Sequence, residues 1–174
     1  MKRIFLIGYM GAGKSTLGKS LACRMNLNYI DTDHFIENRY RKKVSDLFAC
    51  EGEERFRQIE QRVLLEVSEF EDVIISTGGG LPCFCDNMTI MNERGITVFV
   101  DVPVEELVAR LNESKNIRPL LKERTGDELA EFIREHLDSR RPFYEQSVIQ
   151  LHVGQVRSEN DVEHLVQKLV AMLG

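Results

Sequence analysis

A glycine-rich segment near the start of the chain has the residue types that bind polyphosphate. Residues 8–16 read Gly-Tyr-Met-Gly-Ala-Gly-Lys-Ser-Thr, which meets the pattern GxxxxGKS/T, and they follow the apolar run Ile4-Phe5-Leu6-Ile7. Such a loop presents successive backbone N–H groups to phosphate oxygens at the positive end of the next helix. Lys14 can reach the β- and γ-phosphates, and Ser15 can hold Mg²⁺. The segment therefore predicts a binding site for a nucleoside triphosphate.

Two aspartates follow the second apolar run of strand length. Asp31 and Asp33 come directly after Tyr29-Ile30, and in an open α/β sheet ligands bind at the carboxyl ends of the strands. One carboxylate can hold the water shell of a metal ion, while the other accepts a proton from a hydroxyl group. Asp33 would also suit the N-cap of the helix that begins near His34. Both interpretations of Asp33 are open at this point.

Two arginines from distant parts of the sequence could together bind a small carboxylate. Arg57 lies beside the apolar stripe of a predicted helix, and Glu60 at i+3 can orient its guanidinium. Arg140 stands shortly before Pro142 and is expected to precede a turn. Because arginine binds carboxylates in a bidentate manner, the two guanidiniums together with Asp33 would suit an acceptor that has a carboxylate and hydroxyls.

Two further segments have compositions that favour function over scaffold. Gly78-Gly79-Gly80 follows the third apolar run, so a substrate could lie against backbone N–H groups, although a flexible connector would also use glycine. Residues at about 112–124 are polar and basic and contain Arg118, which predicts a lid over the reacting phosphate. Closure would exclude water, and Arg118 would then stabilise the charge on the transferred phosphoryl group.

The elements that must position these residues alternate between apolar runs and amphipathic helical patterns. This alternation predicts an α/β fold with a parallel sheet covered by helices on both faces. Ser158 is expected to cap the last helix, and Pro103 to stand near the start of another. The expected strands are residues 4–7, 29–30, 73–75, 96–100 and 148–153.

Composition limits the class of protein and its partners. The chain has 174 residues and 43% hydrophobic content, which fits one domain with one core. Its net charge of −5 argues against nucleic acid or an anionic membrane as the main partner. The N-terminus has no signal-peptide h-region, and a cytoplasmic location is expected. The four cysteines, including the Cys83-x-Cys85 pair, are expected to be reduced thiols without a metal.

In their order along the chain, these motifs resemble those of the shikimate kinases, and the resemblance covers nearly the whole chain. It implies ATP-dependent phosphorylation of the 3-hydroxyl of shikimate, a step toward chorismate and the aromatic amino acids. It also implies a single domain, residues 1–174, with the three-layer P-loop NTPase fold of nucleoside monophosphate kinases: a five-stranded parallel sheet, a substrate-binding segment at about 32–60 and a mobile lid. The motifs are the phosphate loop, Asp31-Thr32-Asp33, Phe56-Arg57 with Glu60, the glycine triplet, Arg118-Pro119-Leu120-Leu121 and Arg140-x-Pro-x-Tyr144.

The resemblance further implies roles for individual residues. The implied catalytic residues are Lys14, Asp33 and Arg118, with Asp33 as the base. The implied ATP site comprises Gly11, Ala12, Gly13, Lys14, Ser15, Thr16, Arg110, Arg118 and Arg157, of which Arg110 and Arg157 would flank the adenine. The implied shikimate site comprises Asp33, Arg57, Gly79, Gly80 and Arg140. Ser15 would bind Mg²⁺ directly and Asp31 would bind it through water, and a monomer is expected.

One segment departs from the family pattern. Leu81-Pro82-Cys83-Phe84-Cys85 follows the glycine triplet, where members of the family more often have small or aliphatic residues. The resemblance therefore implies no local geometry after Gly80.

Other functions are compatible with a phosphate loop. A kinase that acts on gluconate or on a nucleoside monophosphate would use the same loop and would also need arginines. A nucleotide-dependent GTPase switch would be expected to carry an Asn-Lys-x-Asp motif for guanine, and the sequence has none. A relative that only binds nucleotide is disfavoured by the presence of Lys14, Ser15, Asp33 and Arg118.

Overall fold

The computed structural model describes residues 2–113 and 126–174. The strands are β1 (Arg3–Ile7), β2 (Asn28–Asp31), β3 (Val73–Ser76), β4 (Ile96–Asp101) and β5 (Ile149–His152). The helices are α1 (Lys14–Met25), α2 (Thr32–Tyr40), α3 (Val44–Glu51), α4 (Glu53–Val67), α5 (Asn87–Arg94), α6 (Val104–Glu113), α7 (Gly126–Tyr144) and α8 (Glu159–Leu173), and a 3₁₀ helix spans Leu81–Cys83. Each predicted strand is confirmed, with its ends within one residue of the prediction.

The five strands form one parallel sheet in the order β2-β3-β1-β4-β5. The central strand β1 pairs with β3 on one side and β4 on the other, and its residues Ile4–Ile7 are at most 1% exposed. This burial explains the uninterrupted apolar run, because helices cover a parallel sheet on both faces. The carboxyl ends of β1, β2 and β3 lie at one edge. The phosphate loop, Asp31 and the glycine triplet therefore begin at neighbouring positions.

Near the site, the structure excludes one of the open alternatives and shows that one local prediction is wrong. Asp31 caps α2, since its carboxylate accepts hydrogen bonds from the backbone N–H groups of Asp33 and His34. Asp33 is consequently not the cap and lies in the first turn of the helix. Pro142 lies inside α7, so Arg140 belongs to the last turns of a helix and does not precede a turn. The helix continues only two residues beyond Pro142, where the missing N–H disrupts little of it.

Two predictions at helix N-termini agree with the structure. Ser158 caps α8 in a capping box, in which its hydroxyl accepts from the N–H of Asp161 and the Asp161 carboxylate accepts from the N–H of Ser158. Pro103 directly precedes α6. Among the helices that the structure describes, none is long and apolar enough to cross a membrane.

Gly18 sets how closely α1 approaches the sheet. A Cβ atom on Gly18 would lie 2.6 Å from the Tyr29 ring and 2.9 Å from Ser76 Oγ. We therefore expect Gly18→Ala to lower the free energy of unfolding by about 1–3 kcal/mol in urea denaturation, because the added methyl overpacks the core. Gly154→Ala is the matched control, because a Cβ atom there meets no atom of the described chain within 4 Å. Equal loss of stability in both variants would contradict this packing argument.

Candidate active site

The phosphate loop joins β1 to α1 with a backbone geometry that glycine permits. Gly8, Gly11 and Gly13 have φ angles of 142°, 79° and 88°, in the left-handed region. Lys14 is buried, and its Nζ donates to the carbonyl oxygens of Gly8 at 2.7 Å and Tyr9 at 2.9 Å. The lysine charge is thus held along the loop, beside the N-terminus of α1. This arrangement attracts anionic phosphate groups.

Ser15 and Asp31 adjoin the loop and contact each other. The Ser15 hydroxyl donates to Asp31 Oδ2 at 2.8 Å, and the Tyr29 hydroxyl donates to the same oxygen at 3.3 Å. The pKa of Tyr29 is raised, mainly by burial, so its hydroxyl keeps the proton that it donates. Hydroxyl and carboxylate oxygens are ligands that Mg²⁺ accepts, and this ion takes most of its other ligands from water and phosphate. The residues therefore fit a Mg²⁺ site at the phosphate loop.

No other metal site is apparent in the described parts of the chain. Within residues 2–113 and 126–174, no three His, Cys, Asp or Glu side chains are grouped so that they could hold a metal ion by themselves. The cysteines at positions 23, 50, 83 and 85 are free thiols. Burial raises the pKa of Cys83 to about 11, so this thiol is protonated at neutral pH.

The two predicted carboxylate-binding arginines meet at the glycine triplet. A Cβ atom on Gly79 would lie 3.6 Å from Arg140 Nη1, and one on Gly80 would lie 2.7 Å from Arg57 Nη1. A side chain at position 80 would therefore displace the Arg57 guanidinium, while one at position 79 would be in ordinary van der Waals contact with that of Arg140. Arg140 is 8% exposed, so its charge is largely shielded from water. The structure thus brings both arginines to one place, as the sequence predicts.

The two acidic side chains of the site lie at the first glycine of the triplet. A Cβ atom on Gly78 would lie 2.6 Å from Asp33 Oδ1 and 3.3 Å from Glu60 Oε1. Glu60 is 3% exposed and accepts a hydrogen bond from Arg57 Nη1 at 2.6 Å, which confirms the predicted orientation of this arginine. Burial raises the pKa of Glu60 to about 7, although the positive charge of Arg57 opposes the increase. Asp33, Arg57, Glu60 and Arg140 thus surround the triplet.

Tyr144 fixes the backbone of the triplet. Its hydroxyl donates to the carbonyl oxygen of Gly79 at 2.7 Å, and its side chain is fully buried. Burial also raises the pKa of Tyr144, so the hydroxyl remains a donor. The last turn of α7 therefore holds Gly79 in place and supplies Arg140 beside it.

His136 is a neighbour of the site that sequence reasoning missed. Its Nδ1 lies 2.9 Å from the hydroxyl of Tyr9, and the two rings meet edge to face with centroids 5.5 Å apart. Tyr9 belongs to the phosphate loop, whereas His136 lies on α7 one turn before Arg140. The contact therefore connects the phosphate loop to the helix that carries Arg140. No motif marks His136, and its spacing of four from Arg140 is the one available signal.

Protonation of His136 should make stability depend on pH. Burial, with smaller effects of Arg140 and Arg57, lowers its pKa from 6.5 to about 4. Between these values the unfolded chain binds more protons, so this contribution to stability is complete above about pH 6.5 and is lost as the pH falls toward 4. We expect His136→Gln to lose less thermal stability than the wild type between pH 6.5 and 4. His34→Gln, at a ring that is 71% exposed, is the control. A wild-type pH profile in His136→Gln would contradict the expectation.

The two arginines predicted near the adenine are brought together by Glu106. Arg110 Nε donates to Glu106 Oε1 at 2.8 Å, and Arg157 Nη2 donates to Oε2 at 3.2 Å. Arg110 Nη1 also donates to the carbonyl oxygen of Ala12 at 3.0 Å, so this arginine rests on the phosphate loop. Glu106 is buried and was not identified from the sequence, where its only signal is the i,i+4 spacing from Arg110.

A cavity of about 250 Å³ opens beside Arg110 and the phosphate loop. Its wall is largely apolar and includes Val100, Val153 and Val156. An apolar wall with an arginine at its rim suits a flat heteroaromatic base. A second cavity of about 250 Å³, near Arg3 and Arg94, contains none of the predicted site residues. The first cavity is therefore the candidate for the base of the nucleotide.

The predicted lid is almost wholly outside the described residues. Only its residues 112 and 113 are described, as the end of α6. Arg118 lies outside the described residues, and its role remains a prediction.

Comparison with known proteins identifies the family. A shikimate kinase family model matches residues 10–172. The shikimate kinase of Parabacteroides distasonis is 53% identical over 173 residues, which are 99% of this chain and 100% of that protein. The crystal structure of shikimate kinase from Bacteroides thetaiotaomicron has a TM-score of 0.96 at 47% identity and covers 99% of this chain and 98% of its own.

A more distant relative with a similar structure is also a shikimate kinase. Shikimate kinase from Acinetobacter baumannii, whose structure is a complex with shikimate, has a TM-score of 0.85 at 32% identity and covers 99% of this chain and 93% of its own. The motifs, the five-stranded parallel sheet and these matches over nearly the full length agree with one another. The chain belongs to the shikimate kinase family.

Proposed function

We propose that this protein transfers the γ-phosphoryl group of ATP to the 3-hydroxyl of shikimate and releases shikimate 3-phosphate and ADP. The reaction would serve the biosynthesis of chorismate and the aromatic amino acids. The observation that carries the proposal is the convergence of Arg57, Arg140 and Asp33 on the glycine triplet, at the sheet edge where the phosphate loop begins. Two guanidiniums bind a carboxylate, and an aspartate can accept a hydroxyl proton, so the cluster suits a small hydroxy acid. Membership of the family supports shikimate as that acid.

ATP binds along the phosphate loop in this proposal. The backbone of residues 11–16 and the charge of Lys14 hold the phosphates, and the base enters the cavity beside Arg110. Arg157 and Arg110 share the carboxylate of Glu106, which keeps both guanidiniums near the base.

Mg²⁺ is the proposed cofactor. Ser15 would bind it directly and Asp31 would bind it through water, and the 2.8 Å contact between their side chains supports a shared site. When bound, the ion neutralises charge on the β- and γ-phosphate oxygens.

The side chains around the glycine triplet orient the acceptor and move its proton. Arg57 and Arg140 hold the carboxylate of shikimate, while Gly79 and Gly80 leave room for its ring. Asp33 accepts the proton of the 3-hydroxyl as the oxygen attacks the γ-phosphorus. Arg118 would reach the transferred group when the lid closes and excludes water.

We propose that the protein acts as a monomer in the cytoplasm. The monomer is what the resemblance to the family implies. Four free thiols and the use of ATP support a reducing, cytoplasmic location.

Substrate choice is tested with the purified protein, MgATP and a panel of shikimate, gluconate and AMP. We expect ADP release in a coupled assay with shikimate, matched by one equivalent of phosphorylated product in ³¹P NMR. Lys14→Ala controls for contaminating kinases, because its loss of the phosphate contact should abolish most turnover. Equal turnover with gluconate or AMP would overturn the substrate assignment.

A further inference from the structure

The guanidinium of Arg57 lies over an aromatic ring in the segment that departs from the family pattern. Its Cζ is 4.0 Å from the centroid of Phe84, well inside the distance of about 6 Å at which cation–π attraction operates. The rings of Phe56 and Phe48 are farther, at 5.6 Å and 5.9 Å. The Arg57 side chain is only 13% exposed. The Phe84 ring therefore replaces water on part of this cation, where the attraction is stronger than at an exposed site.

Hydrogen bonds hold only part of the same guanidinium. Nη1 donates to Glu60 at 2.6 Å and Nη2 donates to Glu53 at 3.3 Å. Buried Nε has no hydrogen-bond partner within residues 2–113 and 126–174. A donor of this kind is costly to leave unsatisfied, and it is shielded from solvent. An incoming carboxylate would therefore be received by the Nη atoms, so the orientation of the guanidinium plane matters for binding an acid.

The backbone around Phe84 is held by its neighbours. The N–H of Cys83 donates to the carbonyl oxygen of Gly80 at 2.9 Å, which closes the short 3₁₀ turn. The buried Asn87 donates from its amide to the carbonyl oxygen of Leu81 at 2.8 Å. Phe84 itself is half-buried. The ring is thus attached to a turn fixed at both ends, and this turn begins at the glycine against which the guanidinium lies.

We propose that Phe84 is a positioning residue that holds the Arg57 guanidinium in the orientation that receives the carboxylate of the acceptor. Glu60 and Glu53 fix its Nη atoms, Gly80 leaves space for the plane, and the Phe84 ring limits its rotation. The inference rests on the proposed function, because the carboxylate is that of shikimate. Phe84 thereby favours acidic acceptors over neutral ones.

Kinetics separate this role from a purely structural one. Phe84→Leu keeps apolar volume but removes the π face, and we expect it to raise the shikimate KM by about three- to tenfold. The kcat and the ATP KM should stay within about twofold, because neither depends on the acid-binding arginine. Phe84→Tyr keeps the π face and should retain the wild-type KM. An unchanged shikimate KM in Phe84→Leu, or an equal increase in the ATP KM, would overturn the inference.

Chemical modification tests the same contact without any substrate. Phenylglyoxal reacts with accessible guanidiniums, and peptide mass mapping gives the rate at each arginine of the substrate-free protein. Arg57 should react severalfold faster in Phe84→Leu than in the wild type or Phe84→Tyr, while the exposed Arg55 on the same helix reacts equally in all three. Equal Arg57 rates in the three proteins would contradict the role of Phe84. A wild type that does not phosphorylate shikimate would instead refute the proposed function, and the modification rates would still decide the contact.

Discussion

Asp33→Asn is expected to lower the kcat for shikimate phosphorylation by a factor on the order of 10²–10⁴, the usual effect of removing a positioned general base. The amide keeps the shape of the side chain but cannot accept the hydroxyl proton. Asp33 Oδ1 lies near the first glycine of the triplet, 2.6 Å from the position of a Cβ atom on Gly78. The KM for each substrate should change much less than kcat. Steady-state kinetics at saturating MgATP measure the effect.

Asp46→Asn provides a matched control, because Asp46 also occupies the first turn of a helix and is exposed. It should have wild-type kinetics. Wild-type turnover in Asp33→Asn would show that another group, or solvent, accepts the proton.

Arg57→Ala and Arg140→Ala are each expected to raise the shikimate KM by about 100-fold. Both guanidiniums are largely buried, with side-chain exposure of 13% for Arg57 and 8% exposure for Arg140. Loss of one partner leaves the substrate carboxylate underpaired in a site shielded from water, which is the costly case. The ATP KM should change by less than about threefold, because neither residue lies on the phosphate loop. Initial rates over a matrix of both substrate concentrations separate the two constants.

Arg141→Ala is the control for these two variants. Arg141 is adjacent in sequence but donates to Asp101 at 3.3 Å, at the end of β4, and not to the cluster at the glycine triplet. The shikimate KM of Arg141→Ala should match that of the wild type. If Arg57→Ala or Arg140→Ala weakened the binding of ATP instead, the two arginines would belong to the nucleotide site.

The sequence predicts most of the fold because its signals are local. Buried parallel strands require continuous apolar runs, and the phosphate loop needs glycine at fixed spacing before a helix. Parallel strands also place their carboxyl ends at one edge, so the neighbourhood of Asp31, Asp33 and the glycine triplet follows from topology. The predicted pairing of Arg57 with Glu60 depends only on helical spacing.

Other features depend on contacts that no local pattern encodes. Either Asp31 or Asp33 could cap α2 by residue type, and the backbone at the end of β2 decides for Asp31. Pro142 would ordinarily end a helix, but α7 continues to Tyr144, whose hydroxyl contacts Gly79. His136 and Phe84 approach the site only after distant segments pack together. Their roles are visible in three dimensions and not in the spacing of the chain.

Gly79 and Gly80 present only main chain to the proposed acceptor site, since neither residue has a side chain. A Cβ atom at either position would come within 3.6 Å of an arginine Nη1 atom. A side chain at position 80 would therefore displace the Arg57 guanidinium, whereas one at position 79 would press on the backbone nitrogen of Met10 in the phosphate loop, 3.2 Å from its Cβ atom. Mutation of Gly79 or Gly80 would consequently be a poor route to resistance against an inhibitor that binds these two glycines. Resistance would have to arise from the surrounding side chains.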